Sequence, residues 1–224
     1  EEEVMVALES SILNGSRLQR HVEYLFSHGA LYKILNGNLF YHGSIPFEEN
    51  GELKVVEFEG KKYKGASYIQ MLDERIREAR YNPRNGQTSA EAASIMWYLW
   101  LSENSPLFGK DKMTTFERYF IEDKATHKEN KVPYYKLIEK EETADKILED
   151  FGLNPKVGKI LNGHVPVKIK DGQTPIKANG KLFIIDGGIS KAYQKTTGIA
   201  GYTAIMTSKH MYLAEHKHYE PLTS

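Results

Sequence analysis

The stretch Asn38-Leu39-Phe40-Tyr41-His42-Gly43 is an apolar run of strand length that ends in a histidine and a glycine. Two later stretches repeat the pattern, Ile160-Leu161-Asn162-Gly163-His164 and Leu182-Phe183-Ile184-Ile185-Asp186-Gly187-Gly188. Each puts a metal- or anion-binding side chain where a strand emerges, beside a glycine that lets backbone and ligand approach closely. Sites at strand ends are the usual arrangement in layered α/β proteins. The three stretches therefore predict an α/β fold with a site where these strands end.

Hairpins and helices are predicted around these strands. Asn36-Gly37 lies between the apolar runs 30–35 and 38–42, and Asn-Gly in such a place is the strongest short signal for a β-hairpin. Gly60 favours a second hairpin between 53–59 and 62–63. Apolar residues at helical spacing predict helices at 16–28, 67–80, 88–101 and 143–151.

The last third of the chain is rich in strand patterns. Short apolar runs predict strands at 159–162, 166–169, 181–185, 201–206 and 210–215. Most of the predicted helices precede these strands. That order favours a mixed α/β or α+β layered domain over alternating βαβ units.

Composition excludes several classes of protein. Hydrophobic residues make up 40% and charged residues 27% of the chain, as in an ordinary soluble globular protein. Thirty basic and thirty acidic side chains cancel, so no long-range field collects nucleic acid or anionic membrane. No apolar run approaches the roughly 20 residues that cross a bilayer. The chain has no cysteine, which excludes thiolate chemistry and suits a reducing compartment, so we expect a cytoplasmic protein.

Two features leave alternatives open. Neutral imidazole binds divalent transition metals well, so His42 and His164 are candidate metal ligands; hydrogen-bonded turn residues are the alternative. The stretch 188–198 offers two lysines, hydroxyl groups and glycine-freed amides, the equipment of a phosphate-binding loop. Its spacing is not that of a Walker loop, and a solvated surface loop is the alternative.

The segment 102–133 is polar, charged and without clear periodicity. A loop of that length inside a compact domain is usually functional. We therefore predict that it is a flap or insertion rather than part of the sheet.

Several collinear stretches together resemble class III fructose-1,6-bisphosphatases. They run from the first predicted helix to near the end of the chain and are far more specific as a series than singly. They are NGNLFYHGSIP at 36–46, WYLW at 97–100, SPLFGKD at 105–111, TFERYF at 115–120, NGHVPV at 162–167 and DGG at 186–188, continuing to GYT at 201–203.

The resemblance implies a fold and a reaction. That family is similar to calcineurin-like metallophosphoesterases, whose fold is a β-sandwich flanked by helices with a two-metal site at the strand ends. By their H-G-G and G-H motifs, His42 and His164 correspond to metal ligands, with Mn²⁺ as the expected ion. The implied reaction is hydrolysis of the 1-phosphate of fructose 1,6-bisphosphate, a step of gluconeogenesis. Candidate substrate-binding residues, chosen for charge or hydrogen bonding to phosphate or sugar, are Lys110, Arg118, Asp186, Ser190, Lys191, Tyr193 and Lys195.

The chain departs from the superfamily pattern in one major respect. It lacks an aspartate–histidine pair, a G-D-x-x-D-R-G segment and a G-N-H-[DE] segment, which supply the other ligands and the general-acid histidine. We expect these segments before Glu1, so that residues 1–224 are the C-terminal part of such an enzyme. The missing N-terminal region of the same protein is then the expected partner, and the sequence leaves the oligomeric state open. A non-catalytic domain that binds a sugar phosphate or an effector, or serves in assembly, is the alternative.

Overall fold

A computed structural model describes residues 2–81, 88–168, 171–186, 191, 194 and 201–217. Elements are numbered in chain order. The helices are α1 (Glu2–Asn14), α2 (Ser16–His28), α3 (Gly65–Tyr81), α4 (Thr88–Leu101), α5 (Thr115–Phe120), α6 (Tyr134–Leu137) and α7 (Glu141–Asp150). The strands are β1 (Tyr32–Leu35), β2 (Asn38–Tyr41), β3 (Val56–Phe58), β4 (Lys61–Tyr63), β5 (Ile160–Asn162), β6 (Ile176–Lys177), β7 (Leu182–Ile184), β8 (Tyr202–Met206) and β9 (Met211–Glu215).

A five-stranded mixed sheet, in the order β1-β2-β5-β7-β6, forms the centre of the described structure. Its three middle strands are parallel: Leu39 of β2 is in register with Ile160 of β5, and Ile160 with Leu182 of β7. The edge strands β1 and β6 run antiparallel to their neighbours. Because β2, β5 and β7 point the same way, their carboxyl ends meet at one edge of the sheet.

Local sequence explains the turns. The β1–β2 hairpin turns at Asn36 (φ 51°) and Gly37 (φ 74°), the paired positive φ values of a type I′ turn that Asn-Gly favours. The β3–β4 hairpin turns in the same way at Glu59 and Gly60. Strand β1 starts at Tyr32 rather than at residue 30, because the Leu31 amide donates to the Asp73 carboxylate at 2.9 Å and not to a neighbouring strand.

Two apolar cores lie within the described residues. One face of the central sheet packs on α6 and α7, burying Leu39, Ile160 and Leu182 against Tyr134 and Leu148. A second core joins α3, α4 and the β3–β4 hairpin, with the buried residues Val56, Tyr68, Ile69, Met71, Leu72, Ile95 and Leu99. The first core fixes the strands that carry the site.

The predicted mixed α/β class is confirmed, and one predicted strand is wrong. Residues 166–168 form no strand, and Ile169 lies outside the described residues. His164 adopts a positive φ of 63°, which turns the chain, and Pro166 has no amide to donate. Residues 166–168 still contact the chain just after β7, because the Val167 amide donates to the Asp186 carbonyl at 3.2 Å.

The β-sandwich implied by the resemblance stays a prediction. Besides the central sheet, the described residues form two separate two-stranded ribbons, β3-β4 and β8-β9. Across the described part of the chain, no helix is both long enough and apolar enough to pass through a bilayer.

The segment 102–133 contributes no strand to a sheet. It contains α5, a 3₁₀ turn at Lys124–His127 and one isolated antiparallel bridge between Lys110 and Lys131. Helix α5 exposes Phe116, Tyr119 and Phe120. The role of the segment as a flap stays a prediction.

Candidate functional site

The polar residues that follow the three parallel strands lie at the same edge of the sheet. His42 follows β2, Gly163 and His164 follow β5, and Asp186 is the second residue after the end of β7. Hydrogen bonds continue the ladder past the strands, since the Gly163 amide donates to the His42 carbonyl at 2.8 Å. A Cβ added at Gly163 would lie 3.3 Å from the Asp186 Cβ. The glycine therefore lets the two loops approach closely.

His42 and His164 are in direct contact. His42 Nε2 lies 3.1 Å from His164 Nδ1, so that one imidazole donates to the other. The ring centroids are 5.1 Å apart and the rings are inclined at 69°. The structure thus brings together the two histidines that the sequence pattern placed at strand ends.

The environment keeps His164 neutral at pH 7. Burial, together with repulsion from His42 and Lys110, lowers the pKa of His164 to about 4, and attraction to Asp186 and Glu129 offsets only part of this. Neutral imidazole is the form that binds a metal ion. His164 therefore has the protonation state that a metal ligand would need.

The histidine pair suits a shared metal ion. When two nitrogens bind one ion at about 2.1 Å each as adjacent ligands, they lie roughly 3 Å apart, and the observed separation is 3.1 Å. Among the described residues, no three His, Asp or Glu side chains are grouped so as to hold an ion. The described part of the chain therefore offers two candidate ligands for such a site, and their role as ligands stays a prediction.

A cavity of about 630 Å³ opens beside the pair. Its walls combine the sheet edge with α2 and β1, and they are mostly apolar or aromatic. The lining includes His28, Tyr32, Lys33, Phe40, His42, Asn162, His164, Ile185, Asp186 and Tyr202. Its volume is that of a small-molecule pocket.

The turn that contains His42 and Gly43 packs directly against the segment 102–133. The Ser44 amide donates to the Pro106 carbonyl at 2.9 Å. A Cβ added at Gly43 would lie 2.5 Å from the Leu107 carbonyl oxygen. Glycine at this position therefore allows the turn to pass directly over the 106–107 backbone, and Lys110 follows three residues later.

Lys110 and Arg118 gather around one carboxylate. Lys110 Nζ lies 2.7 Å from Glu129 Oε2, and Arg118 donates to Thr114 Oγ1 and the His127 carbonyl. Burial of Glu129 raises its pKa, but hydrogen bonds from Lys110 and Thr114 outweigh this and hold the pKa at about 2. Lys110 and Arg118 are thus both engaged within the segment, and the charge of Lys110 contributes to the lowered pKa of His164. Their role toward substrate stays a prediction.

The remaining candidates divide into two groups. Asp186 lines the cavity, and Lys191 is exposed. Ser190, Tyr193 and Lys195, with most of the predicted phosphate-binding loop, lie outside the described residues.

Sequence reasoning missed a buried network of hydrogen bonds that joins the ends of β2 and β5, next to the two histidines. Tyr134 Oη lies 2.6 Å from Tyr41 Oη and 2.7 Å from Asn162 Nδ2. The sequence pattern identified Asn162 only as the end of an apolar run, and Tyr134 lay outside every predicted helix and strand. An asparagine inside a buried strand, directly before Gly-His, was the signal that could have drawn notice.

Comparison with known proteins gives a consistent result. A family model described as Firmicute fructose-1,6-bisphosphatase matches residues 1–224. The chain is 53% identical over 222 residues to a protein of Alkaliphilus metalliredigens named fructose-1,6-bisphosphatase class 3, covering 98% of the chain and 33% of that protein. Proteins of the same name from Fusobacterium nucleatum and Clostridium acetobutylicum are each 51% identical, over 96% and 98% of the chain. No solved structure matches significantly. The chain spans about a third of the length of these relatives.

Proposed function

The chain belongs to the family of Firmicute fructose-1,6-bisphosphatases, and we propose that the complete protein hydrolyses the 1-phosphate of fructose 1,6-bisphosphate to give fructose 6-phosphate and phosphate. The names of the relatives support the substrate. The observation that carries the proposal is the contact between His42 and His164 at the common edge of three parallel strands.

Two divalent ions, with Mn²⁺ proposed, would supply Lewis-acid polarisation of the phosphoryl oxygens and a water of lowered pKa. His42 and His164 would contribute nitrogen ligands to that centre, and His164 is already neutral for this role. Histidine with oxygen ligands suits Mn²⁺ but does not select it. The other ligands would come from the part of the family's polypeptide outside this chain.

The chain's own residues have further roles in this proposal. The cavity beside the histidines receives the sugar, and its lining includes the Asp186 carboxylate and several aromatic side chains. Lys110, Arg118, Lys191 and Lys195 offset the charge of the phosphate groups. The proton for the leaving alcohol comes from a histidine of the G-N-H segment, which this chain lacks.

The test is phosphate release from fructose 1,6-bisphosphate by the full-length class 3 protein that contains this chain. We expect turnover with Mn²⁺, its loss in excess chelator and its return when Mn²⁺ is restored. Absence of turnover under all these conditions would contradict the proposal. Tight binding of fructose 1,6-bisphosphate without turnover would instead support the non-catalytic sugar-phosphate-binding alternative.

A further inference from the structure

Asn162 is the last residue of β5, and its side chain hydrogen-bonds to the turn that carries His42. The residue is 2% exposed. Its backbone is tied into the sheet, because the Ile185 amide donates to the Asn162 carbonyl at 2.9 Å. Two residues later the same chain presents His164. Asn162 is therefore rigidly placed relative to one of the two histidines.

The side chain of Asn162 reaches the other histidine's turn. Nδ2 donates to the Gly43 carbonyl at 3.1 Å and to Tyr134 Oη at 2.7 Å. Gly43 directly follows His42, so the amide links the turn after β2 to the end of β5. Both hydrogens of the amide group are used in these two bonds.

The orientation of the amide follows from its partner. A backbone carbonyl can only accept, so the group that faces Gly43 must be the NH₂ end. Oδ1 then points away, is buried and has no hydrogen-bond partner among the described residues. Within the described part of the chain, Asn162 thus uses both of its hydrogen-bond donors, and its acceptor is unpaired.

A third bond closes the arrangement. The Gly163 amide donates to the His42 carbonyl at 2.8 Å. The His42–Gly43 turn is thus held by β5 at two successive carbonyls, once by backbone and once by the Asn162 side chain. Only the second of these bonds can be removed by substitution without touching the main chain.

We propose that Asn162 is a positioning residue, whose buried amide clamps the His42–Gly43 turn to β5 and so holds the His42 and His164 nitrogens at the separation that one metal ion requires. This deepens the proposed function, since it rests on the two histidines being ligands. Groups that orient metal ligands typically contribute about 10–100-fold to metal affinity.

The test uses Cu²⁺ as a probe on the 224-residue chain, so that its result does not depend on phosphatase activity. Cu²⁺ affinity is measured for the parent chain, with His42→Ala giving the background from other histidines. Asn162→Leu removes both donors at similar volume, and Asn162→Ala serves if the leucine variant fails to fold. The matched control is Tyr41→Phe, which removes a hydroxyl from the far end of the same network and leaves the bond to Gly43.

We expect the Asn162 variants to lose about tenfold or more in the His42-dependent affinity, and Tyr41→Phe to stay within about threefold of the parent. Circular dichroism selects the variants that are folded. A folded Asn162 variant with parental Cu²⁺ affinity would overturn the proposal, as would a Tyr41→Phe variant that loses as much affinity as the Asn162 variants. If the unmutated full-length protein shows no phosphatase activity while the parent chain binds Cu²⁺ through His42 and the Asn162 variants bind it more weakly, that result counts against the proposed function alone.

Discussion

His42 Nε2 and His164 Nδ1 lie 3.1 Å apart, although 122 residues separate them in the chain. The parallel pairing of β2 with β5 produces this contact, because it brings the carboxyl ends of both strands to one edge. A Gly-flanked turn then follows each strand. The predictions below test this edge, the segment packed on it and the ion it would hold.

Acid should destabilise the chain through His164. Its pKa is about 4 in the folded chain against about 6.5 in an unfolded one, so the unfolded state takes up a proton first as pH falls. The contribution of neutral His164 to the free energy of unfolding is fully present above about pH 6.5 and is progressively lost as the pH falls toward 4. Urea denaturation at pH 7.5, 5.5 and 4.5 measures it. His164→Asn should flatten this part of the profile, whereas the exposed His210→Asn should not; equal profiles for both variants would refute the assignment.

Glu129→Gln should loosen the segment 102–133. The carboxylate accepts from Lys110 Nζ, the Thr114 amide and Thr114 Oγ1, and hydrogen bonds to charged groups are worth about 2 kcal/mol. We expect a loss of that order in the free energy of unfolding, together with faster amide hydrogen exchange in the segment. Glu122→Gln, at an exposed position, is the control. Unchanged exchange in the Glu129 variant would show that the network does not order the segment.

How much of this could be read from the sequence differs from residue to residue. Periodicity and the Asn36-Gly37 turn located α2 and the β1–β2 hairpin correctly, because those signals are local. The strand predicted at 166–169 was wrong, because the positive φ of His164 depends on packing and not on local propensity. The Asn162 amide was missed for the same reason. Its partners, Gly43 and Tyr134, lie 119 and 28 residues away.

Gly43→Ala should displace the His42 turn. A Cβ there would lie 2.5 Å from the Leu107 carbonyl oxygen and 2.6 Å from the Pro106 one, so backbone must move. Overpacking of this kind costs about 1–3 kcal/mol. Gly60→Asn is the control, since its turn is open and asparagine tolerates positive φ. Thermal unfolding of the two variants compares them, and an alanine variant as stable as the control would contradict the packing described here.

The 224-residue chain by itself should release phosphate from fructose 1,6-bisphosphate far more slowly than the full-length protein. It offers two candidate histidine ligands among the described residues, and its sequence lacks the G-N-H segment expected to carry the general acid. General acid–base assistance alone is typically worth about 10²–10⁴-fold. Steady-state assays with Mn²⁺ on both proteins decide the point, and equal turnover would show that the active site has been misplaced.

If His42 and His164 serve the same metal centre, their substitutions should not add. In the full-length protein, His42→Ala and His164→Ala should each abolish most Mn²⁺-dependent activity, because either substitution removes one of the two nitrogen ligands that the ion would share. Once one is gone, the other has little left to contribute, so the double variant should be nearly as active as the weaker single one. Exposed His21→Ala is the control and should retain parental activity. Mn²⁺ titrations of kcat and KM on all four variants measure the coupling. Losses that multiply in the double variant would mean that the two histidines act independently, and the shared-ion assignment would have to be abandoned.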